Sequence, residues 1–258
     1  MTRNGRFLCA GGGGFPLELT SAGLHVLAMF FMLLDHMWAM VLPWNWMTCV
    51  GRLAFPVFAF MAVEGYFHTR SFRRYMLRLL LFAVISEIPF NLMYSGSVFY
   101  PYHQNVIWTF LLGLACIRLI EAAKATGKQW VYWIAAAAAV MVGFALGWLL
   151  MVDYYGAGVL TILVFYFFRG RKWWCLLGQA LALYWINVGM LKGLCYTVSI
   201  LGVELEIAQQ GLAVLALVPI WLYRGKQGLR SKAFQYICYG FYPVHMLVLA
   251  GILRMMQR

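Results

Sequence analysis

Charged side chains are scarce in this sequence. Asp, Glu, Lys and Arg together make up 11% of the 258 residues, whereas a soluble domain has roughly 25%. Hydrophobic residues make up 64%, and the mean hydropathy is +0.78. Long runs without any charge recur along the chain. This composition excludes a separate soluble domain and predicts an all-α fold, a polytopic bundle of transmembrane helices.

Acidic residues are rarer still, since eight Asp and Glu stand against 20 Lys and Arg, for a net charge of +12. In a membrane protein such an excess marks cytoplasmic loops, so no nucleic acid partner is expected. The six cysteines contain no Cys-x-x-Cys pair, so neither a disulfide framework nor a metal site is expected. No internal repeat of the kind typical of transporters is visible.

Hydropathy divides the chain into nine apolar segments, and a short or re-entrant tenth at Leu194–Gly202 gives a prediction of nine to ten spans. We expect residues 1–23 to form a cytoplasmic lead and residues 24–258 a single membrane domain. The nine predicted segments are 24–42, 50–67, 75–94, 104–121, 129–151, 156–168, 173–190, 207–223 and 233–253.

Three loops without any Lys or Arg alternate with loops that are rich in them. Because basic loops stay in the cytoplasm, this alternation predicts a cytoplasmic N-terminus and, with nine spans, an external C-terminus. The basic loops are 69–78, 121–128, 169–172 and 224–232, and those without Lys or Arg are 43–49, 95–103 and 152–155.

Asp35 and His36 lie side by side within the first apolar segment. Ionisable groups inside a bilayer cost about 3 kcal/mol each, which favours a functional role. An imidazole here suits a general base that takes a proton from a hydroxyl or amine. Asp35 would either orient an imidazole or bind a cation such as Arg52. The alternative is a buried pair that only fastens helices.

The second apolar segment is followed by arginines and no lysine. Two interpretations remain open: topology and contact with lipid headgroups, or a clamp for an anionic cofactor, because guanidinium groups fit phosphate well. Glu64 and His68 precede them at helical i, i+4 spacing and are counted among the candidate cofactor contacts. The arginines are Arg70, Arg73, Arg74 and Arg78.

Further polar residues are predicted mostly at or near the outer ends of the apolar segments. Besides His36, Asp35 and Arg52, the candidates for catalysis are His103 and Asn105. Contact with the substrate or support of catalytic groups is expected of Glu87, Gln104, Asp153, Tyr242 and His245.

Six blocks of this sequence resemble the TraX family, named for a conjugative-pilin acetylation protein. They occur in the family's order and together span most of residues 24–253. The blocks are LDHM (34–37), GRLAFPVFAFMAVEGYFHT (51–69), RRYMLRLLLFAVISEIPFNL (73–92), HQNVIWTFLLGL (103–114), VDYYGAGVLTILVFYFF (152–168) and FYPVHMLVL (241–249).

The resemblance, which extends loosely to the wider transmembrane acyltransferases, implies acetyl transfer from acetyl-CoA. His36 takes the position of the catalytic histidine, and the arginines take the acyl-CoA-binding role. Arg52 or Asn105 would stabilise the tetrahedral oxyanion. The acceptor would be a hydroxyl or amine of a pilin, peptide, glycan or lipid at the outer side of the bacterial inner membrane.

Two other functions remain open at this point. One is a proton-coupled transporter, in which Asp35, Glu87 and Asp153 form a proton relay. The other is a non-enzymatic factor for pilus or envelope assembly, in which the buried charges are structural.

Overall fold

The structure is a computed structural model that describes residues 18–200, 203–229 and 231–257, so most of the predicted cytoplasmic lead lies outside the described residues. The described chain is almost entirely helical. Its elements are α1 Ser21–Met40, α2 Asn45–Gly51, α3 Ala54–His68, α4 Phe72–Ser95, α5 Val106–Lys124, α6 Gln129–Leu149, α7 Tyr155–Phe167, α8 Trp173–Tyr184 with a π-helical turn Trp185–Leu191, β1 Cys195–Ile200, β2 Val203–Ala208, a 3-10 helix Gln209–Ala216, α9 Leu217–Leu222 and α10 Lys232–Met256.

Seven helical segments within these ranges are long and apolar enough to cross a membrane, which confirms the prediction of a helical fold with several candidate membrane spans. Two shorter apolar helices, Tyr155–Phe167 and Gln209–Leu222, match the sixth and eighth predicted segments in position but are too short to count among the seven. The predicted number of nine to ten spans is therefore not confirmed. The seven are Ser21–Met40, Asn45–His68, Phe72–Ser95, Val106–Lys124, Gln129–Leu149, Trp173–Leu191 and Ala233–Met256.

The predicted tenth segment at Leu194–Gly202 is not a helix in the part that the structure describes. Strand β1 occupies Cys195–Ile200 and pairs antiparallel with β2, with Cys195 opposite Ala208. The physical reason lies in residue type: Tyr, Thr and Val favour a strand, and the alternating Val-Glu-Leu-Glu-Ile of β2 has the period of a strand. Hydropathy alone did not separate these alternatives.

The helices run between two ends of the bundle. At one end, called here the basic end, α1 begins, α3 ends and α4 begins, near the loops that are rich in Lys and Arg. Backbone hydrogen bonds from Leu19 to Leu222 (3.2 Å) and from Ser21 to Lys226 (2.8 Å) tie the start of α1 to the loop before α10. The other end, where α1 finishes, is called the far end.

Two apolar clusters hold the bundle together. One lies between α3, α5 and α7, where Val57, Leu114 and Ile162 are completely buried. The other joins α1, α4 and α10 through residues such as Phe90 and Met246. Because α1 and α10 belong to the second cluster, their inward faces meet across the interior and position the polar residues described next.

Candidate functional site

Two histidines from opposite ends of the sequence meet near the far end of the bundle. Nδ1 of His36 on α1 lies 2.7 Å from Nε2 of His245 on α10. Their rings are nearly parallel, with an interplanar angle of 6°. His245 in turn places Nδ1 2.7 Å from the backbone oxygen of Phe241. We call His36 and His245 the histidine dyad.

The hydrogen bonds assign the protons of the dyad. A carbonyl oxygen can only accept, so Nδ1 of His245 carries a hydrogen, and Nε2 of neutral His245 is left as an acceptor. His36 therefore donates from Nδ1, and its Nε2 holds a lone pair. That atom makes no hydrogen bond with any residue the structure describes, and His36 is only partly buried. The dyad presents the basic nitrogen of His36 to a reactant.

Asp35 does not contact the imidazole of His36 but belongs to a separate ion pair. Arg52 donates to both carboxylate oxygens, from Nε to Oδ1 over 3.2 Å and from Nη2 to Oδ2. The hydroxyl of Thr48 donates to Oδ1 over 2.8 Å, and Gln209 donates to that hydroxyl over 2.7 Å. Of the two predicted roles of Asp35, the structure supports binding of the cation.

A glycine makes this ion pair possible. Gly51 packs directly against Asp35, and a Cβ at that position would lie 2.6 Å from Oδ1 of the carboxylate. Because that distance is shorter than any real Cβ contact, a side chain there would push α1 away from α2. The Gly-Arg dipeptide thus allows Arg52 to reach Asp35 across the helix interface.

Asn105 has a structural role that its sequence position did not reveal. It caps α5 through Oδ1, and its Nδ2 donates to the oxygen of Ala83 over 2.8 Å and to Glu87 over 2.5 Å. Trp108 also donates to Glu87, over 3.0 Å. Since both amide hydrogens of this completely buried residue are already used, the geometry does not agree with Asn105 as an oxyanion donor.

A third polar group surrounds Asp153. His103 lies 3.3 Å from its Oδ1, and its ring is enclosed by Phe90, Tyr94 and Tyr155. Gln104 is held by its own loop, where its side chain donates to the oxygen of Pro101 over 2.9 Å. His103 and Gln104 thus make no hydrogen bond with either histidine of the dyad.

A cavity of about 590 Å³ lies between α1, α3, α4, α5 and α10 and extends to the basic end. The size falls within the range of ordinary small-molecule sites. Most of its wall is apolar and aromatic, and polar residues such as Glu64, His68 and Gln227 line the part nearest the basic end.

The cavity leads toward the histidine dyad along two helices. On α1 the lining residues include four that follow one face at helical spacing: Ser21, His25, Met29 and Met32. His36 is the next position on that face. On α10 the lining residues are Gln235, Cys238 and Tyr242, and His245 follows three residues later. The dyad thus lies one helical turn beyond the inner end of the cavity.

The predicted arginines lie at the start of α4, beside the cavity wall formed by Tyr75 and Leu79. All four, Arg70, Arg73, Arg74 and Arg78, are exposed, and none makes an ion pair with a residue that the structure describes. Glu64, at the end of α3, is 6% exposed and accepts a hydrogen bond of 2.8 Å from Nε of Arg169.

The structure brings together some predicted residues and adds others. His36 meets His245, which was predicted only to contact the substrate or support the site. Thr48, Gln209 and Arg169 were not predicted, because an isolated polar residue in an apolar run or a basic loop carries no signal for its partner. Cys238 and His25 also line the cavity, and helical spacing is the only signal that could have indicated this.

Comparison with known proteins gives this chain a family. No solved structure matches it significantly. It is 27% identical to a protein of Dichelobacter nodosus named "Probable fimbrial assembly protein FimC, serogroup H1", in an alignment that covers 93% of this chain and 98% of the relative. The model of the TraX protein family matches residues 20–253, a range that includes both histidines, the ion pair and the cavity, and the chain therefore belongs to the TraX family.

Proposed function

We propose that this protein is a membrane-embedded acetyltransferase that uses cytoplasmic acetyl-CoA to acetylate a hydroxyl or amine at the outer side of the bacterial inner membrane. The observation that carries the proposal is the cavity, which extends from the basic end to within one helical turn of the dyad. A mostly apolar cavity of this kind suits the arm of an acyl-CoA thioester. The basic end would face the cytoplasm, as the Lys and Arg of its loops favour.

The arginines at the start of α4 suit the phosphates of CoA. Helix N-termini attract anions, and basic side chains are normally disfavoured in the first turn. Here Arg73 and Arg74 occupy that turn, and neither has an acidic partner among the described residues. A bound phosphate would satisfy both the guanidinium groups and the helix terminus.

The dyad supplies the chemistry. Nε2 of His36 removes the proton from the acceptor, whose oxygen or nitrogen attacks the thioester carbonyl. The carbon–sulfur bond then breaks, and the proton passes from His36 to the departing thiolate of CoA. Nη1 of Arg52 takes no part in the two hydrogen bonds to Asp35. This nitrogen would stabilise the oxyanion of the tetrahedral intermediate.

A fimbrial or pilin subunit is the acceptor that the relative's name favours. The same name also favours a second candidate function, a fimbrial assembly factor without enzymatic activity. In that case the dyad and the Asp35–Arg52 pair would serve only to fasten helices. The two functions differ in one measurable property, because only the first requires acetyl-CoA.

The arrangement of carboxylates speaks against a proton-coupled transporter. Asp35 bonds with Arg52 and Thr48, Glu87 with Asn105 and Trp108, and Asp153 with His103. No hydrogen bond among the described residues links these three groups into the relay that such a transporter requires.

Acetyl-CoA is expected to protect Cys238 from alkylation in purified protein, because this cysteine lines the cavity that the donor would fill. Cys195, exposed on β1 and away from the cavity, is the internal control and should react equally with and without the ligand. Mass spectrometry after brief treatment with a small maleimide measures both. Equal alkylation of Cys238 in the presence of saturating acetyl-CoA would contradict the proposal.

Substituting His245 tests the dyad. His245→Ala removes the acceptor that holds Nδ1 of His36, and a typical hydrogen bond contributes about 0.5–1.5 kcal/mol. We therefore expect turnover to fall roughly tenfold. His245→Gln offers an amide oxygen as a replacement acceptor and should recover part of the loss. Equal turnover of the two variants would show that the bond to His36 has no catalytic importance.

A further inference from the structure

Glu64 is a buried carboxylate with one oxygen that has no partner. Its Oε1 accepts the hydrogen bond from Arg169 at 2.8 Å, while Oε2 is buried and makes no hydrogen bond. Nδ1 of His68 lies 3.7 Å from Oε2, beyond hydrogen-bond distance. That nitrogen already donates to the backbone oxygen of Glu64, over 2.8 Å. An unpartnered buried carboxylate oxygen costs free energy and calls for a donor from outside the chain.

The position of Glu64 limits what that donor can be. The residue lines the cavity near the basic end, between the arginines of α4 and the aromatic interior. Its charge is already balanced by Arg169, whose guanidinium also lies 4.1 Å above the ring of Phe67. A neutral N–H or O–H group therefore fits better than a second cation. A hydrocarbon chain would leave Oε2 without a partner.

We propose that Oε2 of Glu64 accepts a hydrogen bond from an amide N–H or hydroxyl of the pantetheine arm of acetyl-CoA. This inference rests on the proposed function. It assigns to Glu64 the selection of an acyl-CoA over a free nucleotide or a lipid chain. The arm carries its polar groups between the nucleotide and the thioester. Glu64 has the matching place, between the arginine clamp and the histidine dyad.

The distance along α1 fits this order. From Ser21 at the basic end to His36 there are 15 residues, or about 22 Å of helix axis. A donor with phosphates at the start of α4 and its thioester at His36 has to pass Glu64 in an extended form. The amide groups of the arm are the donors available at that depth.

The test compares two ligands on three variants. CoA has the arm, whereas adenosine 3′,5′-bisphosphate has only a nucleotide. Glu64→Gln keeps an oxygen for Arg169 but presents an amide donor in place of Oε2. Glu64→Asp keeps the negative charge but shortens the side chain by one methylene group, which moves the carboxylate toward the backbone. The control is Glu121→Gln, because Glu121 lies at the same end, bonds with Tyr166 and does not line the cavity.

We expect both Glu64 variants to bind CoA about tenfold or more weakly than the native protein, with nucleotide binding changed less than twofold, measured by isothermal titration of monodisperse protein. Glu121→Gln should bind both ligands normally. Unchanged CoA affinity in the Glu64 variants, or an equal loss for both ligands, would overturn the role of Glu64. If the native protein binds neither ligand, the proposed function itself fails.

Discussion

Replacing His36 with alanine is expected to lower acetyl-transfer turnover by about 10²–10⁴-fold, the usual contribution of a general base. The reason is the geometry of the dyad, which fixes Nδ1 of His36 as a donor to His245 and leaves Nε2 as the basic atom. The measurement is release of CoA from acetyl-CoA by purified protein, with the native acceptor or a surrogate hydroxyl or amine.

Phe30→Ala is the matched control for this experiment. Phe30 lies on the same helix but is 53% exposed on its outward face, so it reports whether α1 tolerates truncation to alanine. It should keep nearly native turnover. If His36→Ala retains more than a tenth of the native rate while remaining folded, His36 is not the base. His103, which lies 3.3 Å from the carboxylate of Asp153, then becomes the leading candidate.

The double change Arg74→Gln and Arg78→Gln is expected to weaken CoA binding by well over tenfold. Each hydrogen bond between a guanidinium and a phosphate contributes about 1.5–3 kcal/mol. Binding should also depend less on ionic strength, because fewer charge pairs remain to be screened. Isothermal titration at two salt concentrations measures both effects.

A control with the same loss of charge separates a specific clamp from general attraction. Lys124, the last residue of α5, and Lys128, just before α6, lie at the basic end, and both are exposed. Changing them together to glutamine also lowers the net charge by two but leaves α4 intact. A specific clamp predicts a small effect for the lysine pair. Equal losses in the two double variants would mean that the arginines only attract anions from solution.

The sequence predicted most of the helices because a transmembrane helix corresponds to one uninterrupted apolar stretch of characteristic length. It failed at 194–208, where a hairpin is set by pairing between two short strands. It located α7, a helix of 13 residues buried among its neighbours, to within one residue, although this helix is too short to count as a membrane span. Such a helix satisfies its backbone internally and is not required to match the thickness of a bilayer.

The residues of the candidate site were predictable, and so was Arg52 as one of two possible partners of Asp35, but the partner of His36 was not. An ionisable residue in an apolar run indicates a function wherever it occurs, and so Asp35, His36 and Arg52 were identified. Which of them pair is decided by the packing of α1 against α2 and α10. The contact between His36 and His245 joins residues 209 positions apart, and no local spacing carries that information.

The backbone oxygen at the end of the dyad has a consequence for energy coupling. The line of hydrogen bonds runs from His36 through His245 and ends at the carbonyl of Phe241, which accepts a hydrogen bond but does not carry a proton onward. A proton taken up at His36 has no exit in that direction, so it returns to the reactants. Each catalytic cycle would therefore exchange an acetyl group for the acceptor's proton, which leaves with the thiol of CoA, and would move no net charge across the bilayer. Its rate should not change when the membrane potential is collapsed.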